Sequence, residues 1–482
     1  MIKIIFNSFP FFFFFVTVLI MLLIIRYRKY QHIFIVLMSC YFYWYSSGSM
    51  IVLLFYSLIM DFYLGKLIYD TKDSKKRKFY FIVSLIGNLG LLFIFKYTNF
   101  LTEVFNYFMS LFHGTFFLPN PHILLPIGIS FYTFCSLSYT FDIYRKELKP
   151  IDSLVKYAFF ITFFPHLVAG PILRASRFLP QLRKKIRIIP KNFRDGLTNT
   201  VWGLVKKVVF ADNVAVFTNA YFSDPTVYSS SVPVFFGALA FGIQIYCDFS
   251  GYSQMAIGLA QMMGITLPIN FNKPYAARNA SEFWNRWHIS LSSWLKDYLY
   301  IPLGGNRKGK IRTYVNVLLT MIIGGLWHGA SWNFLFWGLY QGILLMVHKV
   351  SEALHITALF DHLRGFGVFL GWAITQFFVF LGWIIFRVYD INVLFFCMKK
   401  FIFWDFTGSW TEFLTLFDKY NVPLLFLFGF IVIHVFTFFK GASLEKALQK
   451  DMFYWVLYLF IACLALYFLA PAQTVRFIYF QF

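Results

Sequence analysis

Apolar windows about as long as a bilayer is thick recur along this chain, and no other feature restricts its fold so strongly. A spanning helix needs roughly 20 predominantly apolar residues. Candidate windows run at Ile4–Ile25, Phe79–Phe95, Leu124–Phe141, Val232–Tyr246, Tyr314–Val347, Phe366–Phe386, Val422–Phe439 and Phe453–Leu469. With shorter candidates between them, about ten to twelve membrane helices are expected at that length scale. Composition agrees: 59% of the 482 residues are hydrophobic and 13% charged, where a soluble domain carries about 25% charged residues. The expectation is an all-α polytopic membrane protein. Its first window is read as a span with an outside N-terminus, because the basic cluster "RYRKY" follows the apolar run instead of preceding it.

A net charge of +22 raises the question of nucleic acid. The Lys and Arg residues, however, lie between the apolar windows, which is the positive-inside pattern and argues against a nucleic-acid partner. On that rule Arg26–Lys29, Lys66–Lys78 and Arg145–Lys149 are cytoplasmic, with an out-and-back hairpin at Ile33–Tyr45 and Met50–Leu64. The next basic block, Arg174–Arg194, comes after only one apolar window, Leu154–Val168, so simple alternation would place it outside. That window is short and ends in "FFPHLVAGP", whose prolines interrupt a helix. A broken, re-entrant element resolves the conflict. Irregular backbone at membrane depth needs protein or a water cavity around it, so an internal cavity is expected here. The five cysteines, Cys40, Cys135, Cys247, Cys397 and Cys463, are scattered singly without metal-ligand spacing, and read as buried thiols with no metal.

The middle third holds most of the polar residues. In "NASEFWNRWHISLSSWLKDYLY", Asn279 and Glu282 stand at capping-box spacing. From there Trp284, Trp287, Leu291, Trp294 and Tyr298 recur every three or four residues, predicting one interfacial helix with an aromatic face beside His288. As a single helix Tyr314–Val347 would reach about 51 Å, beyond a hydrocarbon core of about 30 Å, and Gly324, Gly325 and Gly329 offer places to break it. His328 would sit near such a break. A buried histidine often does nothing more than hydrogen-bond within the packing. An ionisable side chain at membrane depth, though, usually faces a cavity or pathway, and a neutral imidazole there suits a general base that takes a proton from a hydroxyl attacking an acyl carbonyl. Asp248, Ser250 and Gln254 form a polar cluster that either lines a cavity or bonds within the packing. Trp327 and Trp332 read as walls. Gly304-Gly305 in "PLGGNRKGK" is a loop without P-loop spacing.

Taken together, "IIFNSFPFFFFF", "PHLVAGPILRASRFLPQL", "IYCDFSGYSQMAIGLAQMMGITLPINFNKPY", "SEFWNRWHISLSSWLKDYLYIPLGGNRKG", "GGLWHGASWNFLFWGLYQG" and "VFLGWIIFR" resemble the membrane-bound O-acyltransferase family, in its bacterial branch of alginate O-acetylation. The resemblance runs to about Arg387, and the sequence beyond Asp390 is generic and apolar. It implies one transmembrane domain over 1–482: N-terminal helices in 1–150, a catalytic core with re-entrant and interfacial elements in 151–350, and C-terminal helices in 351–482. These would form a ring of tilted helices around a central funnel. The family's near-invariant histidine falls on His328 and its second catalytic position on His288. Asn285, Arg286 and Trp287 join Asp248, Ser250, Gln254, Trp327 and Trp332 as substrate-binding candidates. The implied donor is cytoplasmic acetyl-CoA, with no bound cofactor. The implied acceptor is an exported polysaccharide, reached across the bacterial cytoplasmic membrane, often with a periplasmic or membrane-anchored partner acetyltransferase. The rival readings are a transporter or flippase with a histidine proton relay, whose sign would be two similar halves, and a non-catalytic assembly subunit.

Overall fold

The computed structural model describes residues 5–168, 170–357, 360, 363–471, 475, 477 and 478, and among them every regular element is helical. The chain divides into two compact units: residues 1–197 with 255–268, and residues 198–254 with 269–482.

The first unit opens with α1 (Phe9–Ile24), α2 (Arg28–Ser47) and α3 (Ile51–Asp70). Ser8 caps α1 by accepting from the Phe11 amide, and Pro10 lies in the first turn, where a missing N–H costs nothing. A tight turn at Gly48–Met50 separates α2 from α3 at the expected hairpin; Gly48 has φ +60°, which glycine adopts without a Cβ penalty. Next come α4 (Ser74–Leu111), capped by Asp73, and α5 (Ile129–Tyr144). At the heart of this unit the buried Asp61 carboxylate of α3 accepts from Ser84 (2.6 Å) and Asn88 (2.7 Å) of α4 and Ser136 (2.6 Å) of α5. Three donors compensate its burial, and because they come from two other helices they fix the packing of all three. The window at Leu154–Val168 is broken as expected. It forms α6 (Leu154–Thr162) and the short α7 (Phe164–Leu167), interrupted at Phe163 before Pro165, and α8 (Ala175–Phe178) follows. Then comes α9 (Pro190–Leu204).

In the second unit α9 passes into a π-helical segment, Val205–Ala211, followed by α10 (Asp212–Ser223) and α11 (Ser231–Met262). The predicted interfacial helix is interrupted. It forms α12 (Ala280–Arg286) and α13 (Ile289–Leu295), with a π turn at Lys296–Tyr300. The expected cap is present, Asn279 accepting from the Glu282 amide at 2.7 Å. The loop Asn270–Asn272 causes the break. The backbone and side-chain oxygens of Asn270 accept from the Ile289 and Ser290 amides, and the Asn272 amide donates to the Arg286 carbonyl. The groups orphaned by ending one helix and starting another are therefore satisfied from outside.

The long run also splits, at Gly329, into α14 (Lys310–His328) and α15 (Trp332–Ala353). Gly324 and Gly325 stay helical. A Cβ on Gly325 would lie 2.3 Å from the Phe334 carbonyl oxygen and 2.9 Å from Gly338 Cα, so glycine is what allows the two backbones to touch. The unit closes with α16 (Arg364–Arg387), α17 (Ile391–Ile402), α18 (Ser409–Lys450, containing Pro423) and α19 (Met452–Phe468). Among the described residues five stretches are long and apolar enough to cross a membrane: Arg28–Asp70, Ser74–Leu111, Ser231–Met262, Gly365–Arg387 and Ser409–Lys440. Phe9–Ile24 and Met452–Phe468 are shorter apolar helices. The architecture is an all-α polytopic membrane protein.

Candidate active site

His288 occupies the break between α12 and α13 with φ +43° and ψ +52°. A left-handed conformation costs a non-glycine residue of order 1 kcal/mol, and here Asn270 holds it. The imidazole is fully buried. Its Nδ1 lies 3.1 Å from Asn270 Oδ1, which also accepts from the Ser290 amide (3.2 Å) and hydroxyl (2.9 Å), while Asn270 Nδ2 donates to Ser253 Oγ (3.1 Å). With the amide oriented by those contacts, its oxygen can only accept, so Nδ1 carries the proton and Nε2 the lone pair. Burial lowers the proton affinity of His288 to about 3, and the ring is neutral near pH 7.

His328 is the last residue of α14 and is 5% exposed. The two imidazoles approach edge-on, with ring centroids 6.3 Å apart and planes at 61°. Aromatic rings enclose them. Trp327 lies 5.9 Å from His288 and 5.1 Å from His328, Phe249 lies 4.7 Å from His288, and Trp337 and Phe386 lie 5.2 Å and 5.7 Å from His328. The environments differ in backbone: His288 stands in a break between two helices, whereas His328 ends a helix. The arrangement brings two buried imidazoles, one with its tautomer fixed, into surroundings that strengthen every electrostatic interaction.

The other sequence candidates scatter around this pair. Trp327 packs against both histidines. Trp287, fully buried, packs on Phe283 (5.7 Å) and Trp383 (4.8 Å), behind His288. Arg286 is tied to Glu282 (2.8 Å) and the Asn272 carbonyl (3.2 Å) and braces the loop that holds His288. Asn285 is exposed. Trp332, 49% exposed at the start of α15, packs on Phe336. Asp248 pairs with Lys207 (2.7 Å) and accepts from the Ile478 amide (2.7 Å), Ser250 is buried on α11, and Gln254 bonds Lys206 and Asn199. Sequence reasoning missed Asn270, Phe249, Trp337 and Phe386. Phe249, Asn270 and Phe386 lie within the stretches "IYCDFSGYSQ", "LPINFNKPY" and "VFLGWIIFR", but only the fold brings them to the histidines. Phe477 was missed as well: it packs on Tyr252 (4.2 Å) and Phe249 (6.3 Å), so the region beyond Asp390 also supports the site.

Over 313 residues the chain is 43% identical to the probable alginate O-acetylase AlgI of Azotobacter vinelandii, covering 64% of this chain and 60% of that protein. It is 37% identical over 366 residues to the peptidoglycan O-acetyltransferase of Helicobacter pylori, covering 70% and 68%. It is 29% identical over 246 residues to the teichoic acid D-alanyltransferase of Bacillus subtilis, covering 48% and 61%. The match spans about 60% of the length of the alginate relatives. Residues 41–395, which include both histidines, match the model of the membrane-bound O-acyltransferase family. The chain belongs to that family.

Proposed function

We propose that this protein is an O-acetyltransferase of a bacterial cytoplasmic membrane, moving acetyl groups from cytoplasmic acetyl-CoA to hydroxyls of an exported polysaccharide. The observation that carries the reading is the buried imidazole pair, 6.3 Å apart, with one tautomer fixed by Asn270. His328 takes the proton of the acceptor hydroxyl as its oxygen bonds to the thioester carbonyl carbon. His288, neutral and held still, orients the acceptor or polarises the carbonyl. When the tetrahedral intermediate collapses, the carbon–sulfur bond breaks, and the leaving thiolate receives the proton held by His328. The products are an O-acetyl ester and free coenzyme A, and no redox or metal step is needed. The relatives' names cover alginate, peptidoglycan and teichoic acid, and an extracytoplasmic glycan is what they share. A partner acetyltransferase on the outer side can be the immediate acceptor, since a serine hydroxyl attacks a thioester as a sugar hydroxyl does.

The test is direct. The protein in proteoliposomes, given acetyl-CoA labelled in its acetyl group, is expected to release free coenzyme A and label a supplied alginate, peptidoglycan or teichoic acid fragment or the partner. Movement of an uncleaved solute across the bilayer, with no thiol released, would support the transporter reading instead.

A further inference from the structure

The π-helical segment presents two consecutive lysines to very different surroundings. Lys207 points into the core, 1% exposed, and its ammonium meets Asp212 (2.8 Å), Asp248 (2.7 Å) and the Val475 carbonyl (3.0 Å), so its three donors have three acceptors. Burial holds the Asp212 carboxyl up to about 7, so this cluster can keep a proton and stay close to neutral. The fold supplies this buried lysine with two carboxylates.

Lys206 has none. It is half-buried, its ammonium donates to Gln254 Oε1 (2.8 Å) and lies 5.8 Å from the Tyr246 ring, and burial pulls it down to about 8. A second half-buried lysine converges on the same place. Lys273 is held at φ +49°, and its ammonium reaches α18, donating to the Thr437 carbonyl at 2.9 Å, one turn from His434. Both lysines act electrostatically on His434, whose ring lies 5.8 Å from Tyr246. Among the described residues neither has a carboxylate within 4.0 Å. Two half-buried cations that both act on one histidine repel each other, and a left-handed backbone at Lys273 adds strain. An anion that both can bind removes the repulsion, and lysine is a point-charge phosphate binder. The location bears on the reaction, because Tyr246 also packs 6.2 Å from Trp287, the residue before His288.

We propose that Lys206 and Lys273 form a binding site for a phosphate-bearing anion, linked to the His288 segment through Tyr246 and Trp287. Under the acetyl-CoA reading, on which this assignment rests, the ligand is the phosphorylated end of the donor; a phospholipid headgroup offers the same chemistry.

The test uses the full chain in phosphatidylcholine nanodiscs with coenzyme A as probe. Lys206→Met and Lys273→Met should each weaken coenzyme A binding by about tenfold, the scale of one charge-assisted bond. In turnover the loss should fall mainly on KM. Lys206→Arg should restore binding, added salt should weaken it in wild type more than in the variants, and inorganic pyrophosphate should compete in wild type without any mutation. A second arm uses nanodiscs containing phosphatidylglycerol. If coenzyme A binding is indifferent to both substitutions but bound phospholipid, counted by native mass spectrometry, is lost from them, the site stands with a lipid as its ligand. If neither ligand responds, the site is refuted. If wild type binds no coenzyme A, the donor reading fails, and the phospholipid count alone decides the site.

Discussion

At the scale of single residues, the decisive contact is between His288 Nδ1 and Asn270 Oδ1 at 3.1 Å. Partners that orient metal-ligating imidazoles typically matter by 10-fold to 100-fold; with the same orienting role at His288, Asn270→Leu should lower kcat by about that much while membrane levels hold. Asn270→Asp is predicted to act differently. A carboxylate there favours the imidazolium, so the His288 proton affinity rises from about 3 toward the physiological range. The acid limb of the kcat profile should then move to higher pH, and a profile identical to wild type would deny that Nδ1 faces position 270. Both histidines and Trp327 were singled out from their motifs, and the fold brings the three rings together. Asn270 was not, because it lies 18 residues from its partner in sequence and gives no local sign of reaching it. Trp332, read as a wall from the histidine's own motif, starts α15 with half its surface exposed.

At the scale of helices, two breaks build the site and only one could be read from sequence. Gly329 ends α14 where excess length demanded an interruption. The break at His288 was hidden, because the cap at Asn279 and the three-four spacing of aromatics both argue for continuity. It depends on a distant loop supplying the acceptors that the continuing helix would have supplied. The glycines of α14 also do work other than breaking it. At Gly325 a side chain would meet backbone of α15, which cannot swing aside, so Gly325→Ala should cost about 1–3 kcal/mol by overpacking. The expected result is a clear drop in detergent melting temperature and reduced acetyl transfer, since α14 carries His328. Gly429→Ala on α18, where an added Cβ meets nothing within 4 Å, is the matched control and should melt like wild type. Equal melting of the two variants would mean that α14 and α15 are not in backbone contact.

At the scale of the whole molecule, apolar spanning windows were legible because bilayer thickness acts on any chain. The broken elements were harder, since windows such as Leu154–Val168 fold into pieces too short to count as spans. The basic run at Lys75–Lys78, between α3 and α4, is expected in the cytoplasm. A single cysteine at Lys76, in a background where Cys40, Cys135, Cys247, Cys397 and Cys463 are replaced, should resist an impermeant maleimide in intact cells and react after permeabilisation. Labelling of intact cells would invert the orientation. The central claim is that His328 moves a proton for acyl transfer, and its most direct test is acetylation of the extracytoplasmic glycan in cells carrying His328→Gln. Glutamine keeps hydrogen-bonding capacity and similar bulk but cannot accept and release a proton near neutral pH. Acetylation should fall by about 10²-fold to 10⁴-fold, with membrane level, melting temperature and acetyl-CoA binding close to wild type. Near-normal acetylation by that variant would contradict the account.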